Sequence, residues 1–359
     1  MWNPTARSDV KKAFLSRAAK RTTNGFRGLP KTALFAGLGM SPGCYRSQGR
    51  LWVRQPAFLP PHLLQSKGWP NAGGEHPCHC QPRWLGQRHG PTAVVVRGQE
   101  VLLFRPGHSV ERLWTTQRAN HEFLADVNEL TSALPAPRLA ARCQGRSLLT
   151  EWVEGESFGA TEPLRRKAAI RQVLSAIART SQRTAKPDST GFVGQVIEFG
   201  RNGTAAAAFS RIATDSRLPA LLDAPLTLQH GEPAGNNLLI RADGSPIIID
   251  WDPGRVGVRP FWADAAHLAS VDDYRPLMKG EFDHDLARLW RSVGLEPPAA
   301  TELREIVAFG NVLFFAMIGL SARPDGRVVR LSERRAPQQI SKPWKLVAAE
   351  KRLRSLSAE

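Results

Sequence analysis

Cysteine is scarce in this sequence, which limits both its redox chemistry and its metal chemistry. The 359 residues include four cysteines, too few and too scattered for a disulfide scaffold, so a reducing compartment is expected. The segment His76-Pro77-Cys78-His79-Cys80 offers metal-ligating side chains. However, no second ligand pair follows at a zinc-site spacing, and such close neighbours rarely bind one ion together, so no metal is expected there.

Long apolar runs are also missing. The longest, Ile306–Leu320, has 15 residues and is interrupted by Gly310 and Asn311. A membrane-spanning helix needs about 18 to 20 apolar residues, so this run is predicted to be a buried helix. The early apolar run Thr32–Met40 is short and no small-residue cleavage pattern follows it, so no secretory leader is expected.

Acidic residues are almost absent from the first part of the chain. The first 74 residues contain 12 of the 49 lysines and arginines but a single acidic residue, Asp9. Such an arm attracts an anionic membrane surface or an anionic glycan, or it is simply a solvated and partly disordered extension; both interpretations stay open. Nucleic acid is an unlikely partner, because no zinc-finger, RNP or helix-turn-helix pattern accompanies the charge. The expected location is the cytoplasm, with peripheral attachment to the inner membrane face as the alternative.

Composition and periodicity divide the chain into three parts. Residues 1–82 form the basic Pro/Gly-rich extension, residues 83–153 a small β-rich domain, and residues 154–359 a larger helical domain. In the small domain the patterns predict a hairpin, a helix and a further strand: Thr92–Val96 paired with Val101–Phe104, Ala119–Leu134, and Leu148–Val153. The expected fold class is therefore α+β.

The larger domain is predicted to be helical with one inserted hairpin. A helix capped by Thr161 carries the apolar stripe Ile170, Val173, Leu174 and Ile177. The hairpin has strands Leu238–Ile240 and Ile247–Ile249, which are joined at a turn of Asp243 and Gly244. Further helices are expected at Ala263–Val271, Asp283–Val293, Thr301–Leu320 and Trp344–Leu356.

Polar side chains gather around this hairpin, between residues 229 and 252. Glu232 precedes the first strand, Asn237 lies at its start, and Asp250 follows the second strand. Because a hairpin returns the chain, Asn237 and Asp250 are expected at the same end, with Glu232 beside them. Two carboxylates and an amide oxygen suit hydroxyl activation next to Mg²⁺, which prefers oxygen ligands.

Two motifs in this segment resemble those of a known enzyme group. His230-Gly231-Glu232 followed by Asn237, and Ile249-Asp250-Trp251, are similar to the catalytic and metal motifs of the aminoglycoside phosphotransferase and choline kinase family. The resemblance covers about residues 84–320 and is strong only between 229 and 269. It implies the two-lobed protein-kinase-like fold, with a small β-rich lobe and a larger helical lobe, and ATP-dependent phosphorylation of a hydroxyl on a small molecule or glycan.

The resemblance also implies roles for the residues of the large lobe. Asn237 and Asp250 would hold Mg²⁺, Glu232 would be the catalytic base, and His230 would buttress the loop. Asp264 corresponds to a structural aspartate of the family, although a helix-capping role is the simpler interpretation. The acidic residues that follow the metal motif would suit a cationic acceptor, or they form a solvated helix face and its caps: Asp272, Asp273, Glu281, Asp283 and Asp285.

In the small lobe, the resemblance implies a nucleotide site. Arg105 would grip phosphate and pair with Glu122, and Glu151 to Val153 would face the adenine. Gly86-Gln87-Arg88-His89-Gly90 is the candidate phosphate-covering loop, although two glycines are as typical of an ordinary turn.

Two residues depart from the family pattern. Glu232 stands where the family has aspartate, which adds a methylene, and Arg105 stands where it has lysine. Neither change removes a charge, so a kinase is the favoured prediction. The alternative is a catalytically impaired pseudokinase or ligand-binding module.

Overall fold

The structure of the chain is a computed structural model. The structure describes residues 43–47, 50–54, 93–97, 100–105, 109–114, 121–142, 147–201, 205–271, 274–331 and 343–356. The described chain divides into two compact units. The first contains the strands up to residue 114 together with Pro137–Glu154, and the second contains His121–Ala136 and the chain from Gly155 onward.

The first unit is built on a seven-stranded sheet. Its strands are β1 (Gly43–Ser47), β2 (Arg50–Arg54), β3 (Ala93–Arg97), β4 (Glu100–Arg105), β5 (Ser109–Trp114), β6 (Leu139–Arg142) and β7 (Ser147–Glu151). The spatial order is β1-β2-β3-β4-β5-β7-β6, and among the described strands of this sheet only the pairing of β2 with β3 is parallel. The predicted hairpin is confirmed as β3 and β4, with Val96 opposite Val101.

The first two strands lie inside the segment predicted to be an extension. Leu51 of β2 pairs with Ala93 of β3, so residues 43–54 belong to the same sheet as the predicted small domain. The sheet therefore begins well before residue 83. The other predicted features of residues 1–82 lie outside the described residues, as does the glycine loop at 86–90.

The second unit is mainly helical. Its helices are α1 (His121–Thr131), α2 (Pro163–Thr184), α3 (Phe192–Arg201), α4 (Ala206–Ile212), α5 (Pro219–Leu222), α6 (Ala263–Ala269), α7 (Arg275–Met278), α8 (Asp283–Ser292), α9 (Ala300–Met317) and α10 (Pro343–Leu356). The predicted apolar stripe of α2 is buried, and α2 packs against α8, while α9 packs against α6 and α10. In the described parts of the chain, no helix is long and apolar enough to cross a membrane.

The start of α2 differs from the prediction by one residue. Glu162, and not Thr161, is the N-cap, because its side chain accepts hydrogen bonds from the backbone N–H groups of Leu164 and Arg165, both at 3.3 Å. Pro163 at the first helical position has no N–H to satisfy. The Thr161 hydroxyl instead donates to the Ser157 carbonyl at 3.0 Å.

Seven short strands complete the second unit. They are β8 (Glu156–Ser157), β9 (Leu226–Gln229), β10 (Leu238–Ile240), β11 (Pro246–Ile248), β12 (Gly257–Pro260), β13 (Leu320–Ala322) and β14 (Val328–Arg330). The predicted hairpin is confirmed as β10 and β11, with its second strand one residue earlier than expected. Its turn has Gly244 at φ +85°, and the Asp243 carboxylate accepts from the Ser245 N–H at 2.9 Å.

Two glycines of α3 give a matched test of packing in the second unit. A Cβ at Gly200 would collide with the buried ring of Phe209, whereas a Cβ at Gly194 would meet nothing within 4 Å. Gly200→Ala should therefore lower the free energy of unfolding by about 1–3 kcal/mol despite the better helix propensity of alanine. Gly194→Ala should instead raise it by about 0.5–1 kcal/mol. Urea unfolding of both variants measures this, and equal effects would contradict the close packing of α3 on α4.

Candidate active site

The pairing of β9 with β12 brings the two polar segments together. Gln229, the last residue of β9, lies opposite Gly257, the first residue of β12. The chain leaves β9 into His230, Gly231 and Glu232, and it enters β12 from Asp250 and Arg255. The first segment therefore begins, and the second ends, at the same end of this strand pair.

A buried carboxylate on α6 holds the first segment in place. The backbone N–H groups of His230 and Gly231 donate to Asp264 at 2.8 and 3.0 Å. The Asp264 N–H in turn donates to the Gln229 side-chain oxygen at 2.9 Å. Asp264 thus binds a loop more than thirty residues away, and the helix-capping interpretation is wrong, because the N-cap of α6 is Trp262 and has no side-chain cap.

Arg259 of β12 is the buried cation that accompanies Asp264. Burial raises the pKa of Asp264 to about 6, against the opposing effects of Arg259 and of the two backbone donors. Burial also lowers the pKa of Arg259 to about 10, and the Asp264 charge limits that loss. Each charge therefore offsets part of the cost of burying the other.

Gly231 has no room for a side chain. Its φ of +88° lies in the left-handed region, and a Cβ would stand 2.7 Å from Nη1 of Arg259 and collide with the Arg255 carbonyl. Any other residue here would displace the buried arginine, so glycine is required for the loop to approach β12.

His230 is a packing residue of the loop. Its ring is fully buried and meets the indole of Trp251 edge-on, with 4.6 Å between ring centroids and 87° between ring planes. Burial and, next in size, the positive charge of Arg255 lower the pKa of His230 to about 3, so the imidazole is neutral at pH 7.

Asn237 joins the loop to the hairpin. Its side-chain nitrogen donates to the Glu232 carbonyl at 3.0 Å, and its own carbonyl accepts from the Ile249 N–H at 2.8 Å. Asp250 follows Ile249 directly, so Asn237 and Asp250 meet at one end of the hairpin. Because the amide nitrogen is used by Glu232, the side-chain oxygen of Asn237 is the atom that can face a cation.

Asp250 has an unusual backbone. Its φ of +67° makes it the one non-glycine residue with positive φ among the described residues, and its side chain is 2% exposed. Aspartate tolerates this region better than most residues, but such a conformation persists only where the surroundings enforce it. Here the neighbouring Trp251 donates its indole N–H to the Ile248 carbonyl at 2.9 Å and anchors the bend.

Arg255 connects the two carboxylates. Its Nη1 lies 2.9 Å from Oδ2 of Asp250 and 2.8 Å from Oε2 of Glu232. A second cation, Lys345 of α10, lies 3.6 Å from the other oxygen of Glu232. The prediction of converging Glu232, Asn237 and Asp250 is thus matched by the geometry, but both cations were missed, since neither lies in a motif.

The predicted acidic residues of the acceptor side are ion-paired. Lys167 binds Glu281 at 2.8 Å, Arg304 binds Asp283 at 2.9 Å, and Arg171 lies 3.9 Å from Asp285. These contacts tie α8 to α2 and α9, so they favour the interpretation as a solvated helix face. Asp272 and Asp273 lie outside the described residues.

The predicted nucleotide residues are described in part. Arg105 ends β4, but its side chain lies outside the described residues, so its pairing with Glu122 stays a prediction. Glu122, in the first turn of α1, is 4.0 Å from Arg323. Glu151 ends β7 and lies 3.8 Å from Arg138, while Val153 is buried.

The donors present fit a magnesium ion. Asp250 and Asn237 offer one carboxylate and one amide oxygen at the same hairpin end, and Mg²⁺ takes one or two protein oxygens together with waters and phosphates. No group of three or more His, Cys, Asp or Glu side chains among the described residues could hold a metal. That finding does not bear on a site in which asparagine is one of two protein ligands.

The chain belongs to a family of phosphotransferases. The family model described as "Phosphotransferase enzyme family" matches residues 95–305, which is more than half of the chain. This range contains all of the site except Lys345, and the membership confirms the predicted two-lobed kinase-like α+β fold. No curated protein matches the sequence.

Solved structures of similar proteins include kinases of choline and of aminoglycosides. A choline/ethanolamine kinase family protein from Mesorhizobium loti is 15% identical, with 66% of this chain and 78% of that chain covered, at a TM-score of 0.39. The aminoglycoside phosphotransferase APH(3'')-Id from Streptomyces rimosus is 17% identical, with 60% and 91% covered, at 0.36. Choline kinase LicA from Streptococcus pneumoniae is 11% identical, with 74% and 85% covered, at 0.42.

The buried pair of Asp264 and Arg259 gives a prediction about stability. Asp264→Asn leaves Arg259 as a buried charge without its counter-ion, so the free energy of unfolding should fall by about 3–5 kcal/mol. The double variant Asp264→Asn with Arg259→Met should recover part of this loss, because it removes the remaining charge as well. Chemical denaturation of the parent, both single variants and the double variant gives the coupling energy. Additive effects would show that the two residues do not act as a pair.

Proposed function

We propose that this chain is an ATP- and Mg²⁺-dependent kinase that transfers the γ-phosphoryl group to a hydroxyl of a small molecule or glycan. The observation that carries the proposal is the convergence of Glu232, Asn237 and Asp250, with one nitrogen of Arg255 bound to both carboxylates. Phosphoryl transfer needs a group that orients the acceptor hydroxyl beside oxygen ligands for a metal ion. The family membership supports the reaction type.

Glu232 is the proposed catalytic base. Its carboxylate accepts the hydrogen bond of the acceptor hydroxyl and takes the proton while the new oxygen–phosphorus bond forms and ADP leaves. Arg255 holds one of its oxygens at 2.8 Å, so the longer side chain has a defined position despite its additional methylene. The loop beneath is fixed by Asp264, which accepts hydrogen bonds from the backbone of the two residues directly before Glu232.

Asp250 and Asn237 are the proposed metal ligands. When bound, Mg²⁺ supplies positive charge that neutralises the phosphates. Arg255 orients Asp250 through a contact of 2.9 Å and gives this buried carboxylate a charged partner. Arg105, Glu122, Glu151 and Val153 are the proposed contacts or supports of the nucleotide.

Loss of the Asp250 charge should remove the rise in melting temperature that depends on magnesium. Asparagine also tolerates positive φ, so Asp250→Asn removes the charge without straining the backbone. The variant therefore tests the effect of the charge and not that of the fold. In the parent, Mg²⁺ should add to the rise in melting temperature caused by ATP, because a ligand that binds the folded state stabilises it. The variant should lose this magnesium-dependent part, and ATP consumption with an acceptor panel should fall by about 100-fold or more.

Asp243→Ala is the matched control, because it removes an exposed carboxylate at the turn of the same hairpin. It should retain the magnesium-dependent rise. An unchanged magnesium effect in Asp250→Asn would exclude Asp250 as the ligand, and absence of any nucleotide-induced rise in the parent would exclude the kinase.

The position of Glu232 gives a second test. Glu232→Asp draws the carboxylate back from Arg255 by roughly an ångström, a displacement that can lower kcat by about 100-fold where geometry limits the reaction. Glu232→Gln should abolish transfer without preventing ATP binding. A large gain of turnover in Glu232→Asp, measured as ADP release, would instead identify a decayed enzyme and favour the pseudokinase.

A further inference from the structure

Lys345 brings a cation from the last helix to the catalytic carboxylate. It lies in the first turn of α10, and its Nζ is 3.6 Å from Oε1 of Glu232, while its side chain is 23% exposed. The family match ends at residue 305, so Glu232 lies inside the matched range and Lys345 lies beyond it.

The contact between Lys345 and Glu232 is a loose one. Charge-assisted hydrogen bonds of this type are about 2.7–2.9 Å long, and Arg255 reaches that range on the other oxygen of Glu232. An ammonium group has three donors, and a carboxylate oxygen at 3.6 Å engages at most one of them. A second anion can therefore bind it from the solvent side.

Aromatic rings border this ammonium group. Nζ of Lys345 lies 5.6 Å from the ring centroid of Phe315 and 5.8 Å from that of Trp344. Trp344 is 65% exposed, although it is among the largest apolar residues. An exposed indole beside the Lys345 ammonium group offers a flat apolar face, on which a sugar ring can lie.

The charges around Glu232 disfavour a cationic acceptor. Each of its two oxygens faces a cation, Arg255 on one side and Lys345 on the other, and Asp250 is buried behind Arg255. An ammonium group placed beside Glu232 would be repelled by both cations. An incoming anion would pair with Lys345 and leave Glu232 to the acceptor hydroxyl.

We propose that Lys345 is a specificity-determining residue, which binds a carboxylate or phosphate group on a hydroxyl-bearing ring that stacks on Trp344. The acceptor is thus an anionic sugar or a related ring compound, and not a polyamine antibiotic or an amino alcohol. This inference rests on the proposed function, because it assigns the acceptor side of the same site.

The experiment compares four sugars of similar size that differ in charge. Glucuronate, glucose 6-phosphate, glucose and glucosamine are titrated calorimetrically into the full-length protein saturated with Mg²⁺ and the non-hydrolysable analogue AMP-PNP, which blocks the nucleotide site. At least one of the two anionic sugars should bind about tenfold more tightly than glucose, and glucosamine no more tightly than glucose. The comparison of glucuronate with glucose 6-phosphate shows which anion the site prefers.

Three variants assign the preference to Lys345. Lys345→Met should reduce anion binding to the level of glucose, while Lys345→Arg should retain most of it. Lys351→Met is the matched control, because Lys351 is exposed on the same helix and about 9 Å further along its axis. Melting curves with AMP-PNP report whether each variant is folded.

Two results would overturn the inference. In the first, the parent protein binds the charged and the neutral sugars with equal affinity, or binds none of the four. In the second, Lys345→Met binds the anionic sugars as tightly as the parent does. Either result, in a protein that binds Mg²⁺ with AMP-PNP, leaves the proposed kinase intact. Failure of the parent protein to bind AMP-PNP would instead contradict the proposed kinase function. The four sugars could then still be compared by titration into the protein without nucleotide.

Discussion

The site depends on the hydrogen bonds that a single buried carboxylate accepts from a distant loop. Asp264 binds the amides of His230 and Gly231, so the position of Glu232 is set from below by α6. The carboxylate is costly to bury, and Arg259 and the backbone donors offset that cost. Gly231 completes the arrangement, because only a residue without a side chain fits above the buried arginine.

Above this base, the carboxylates of Glu232 and Asp250 are organised by opposite charge. One nitrogen of Arg255 holds Glu232 and Asp250 side by side, where two carboxylates alone would repel each other. The same contact explains how the chain accommodates glutamate in place of the aspartate that the family pattern has. A longer side chain is tolerable where its end is bound by a rigid donor, and the guanidinium of Arg255 holds one oxygen of Glu232 at 2.8 Å.

The sequence predicted those parts of the molecule in which a local pattern decides the structure. The hairpin of β10 and β11 followed from two apolar runs around Asp243-Gly244, and the buried face of α2 followed from its 3.6-residue period. By contrast, β12 reads Gly-Val-Arg-Pro, a composition with poor strand propensity, and it exists because β9 pairs with it. Strands β1 and β2 were likewise hidden in a basic, proline-rich segment.

The same distinction applies to the site. Glu232, Asn237 and Asp250 were predictable because they lie within one short segment, whose hairpin brings them together. Asp264 was assigned to the wrong local role, because its partners are more than thirty residues away in sequence. Arg255 and Lys345 carry no motif, and only the folded chain shows that their charges reach Glu232.

The position of Lys345 also has a consequence for the order in which the protein matures. Closing a loop costs more entropy the longer it is, and the contact of Arg255 with Glu232 spans roughly 20 residues, whereas that of Lys345 spans roughly 110. During synthesis, the loop and its arginine can assemble long before α10 leaves the ribosome. The residues proposed for phosphoryl transfer can therefore assemble before the cation proposed to select the acceptor, and a nascent chain would then have the reaction chemistry before the selectivity.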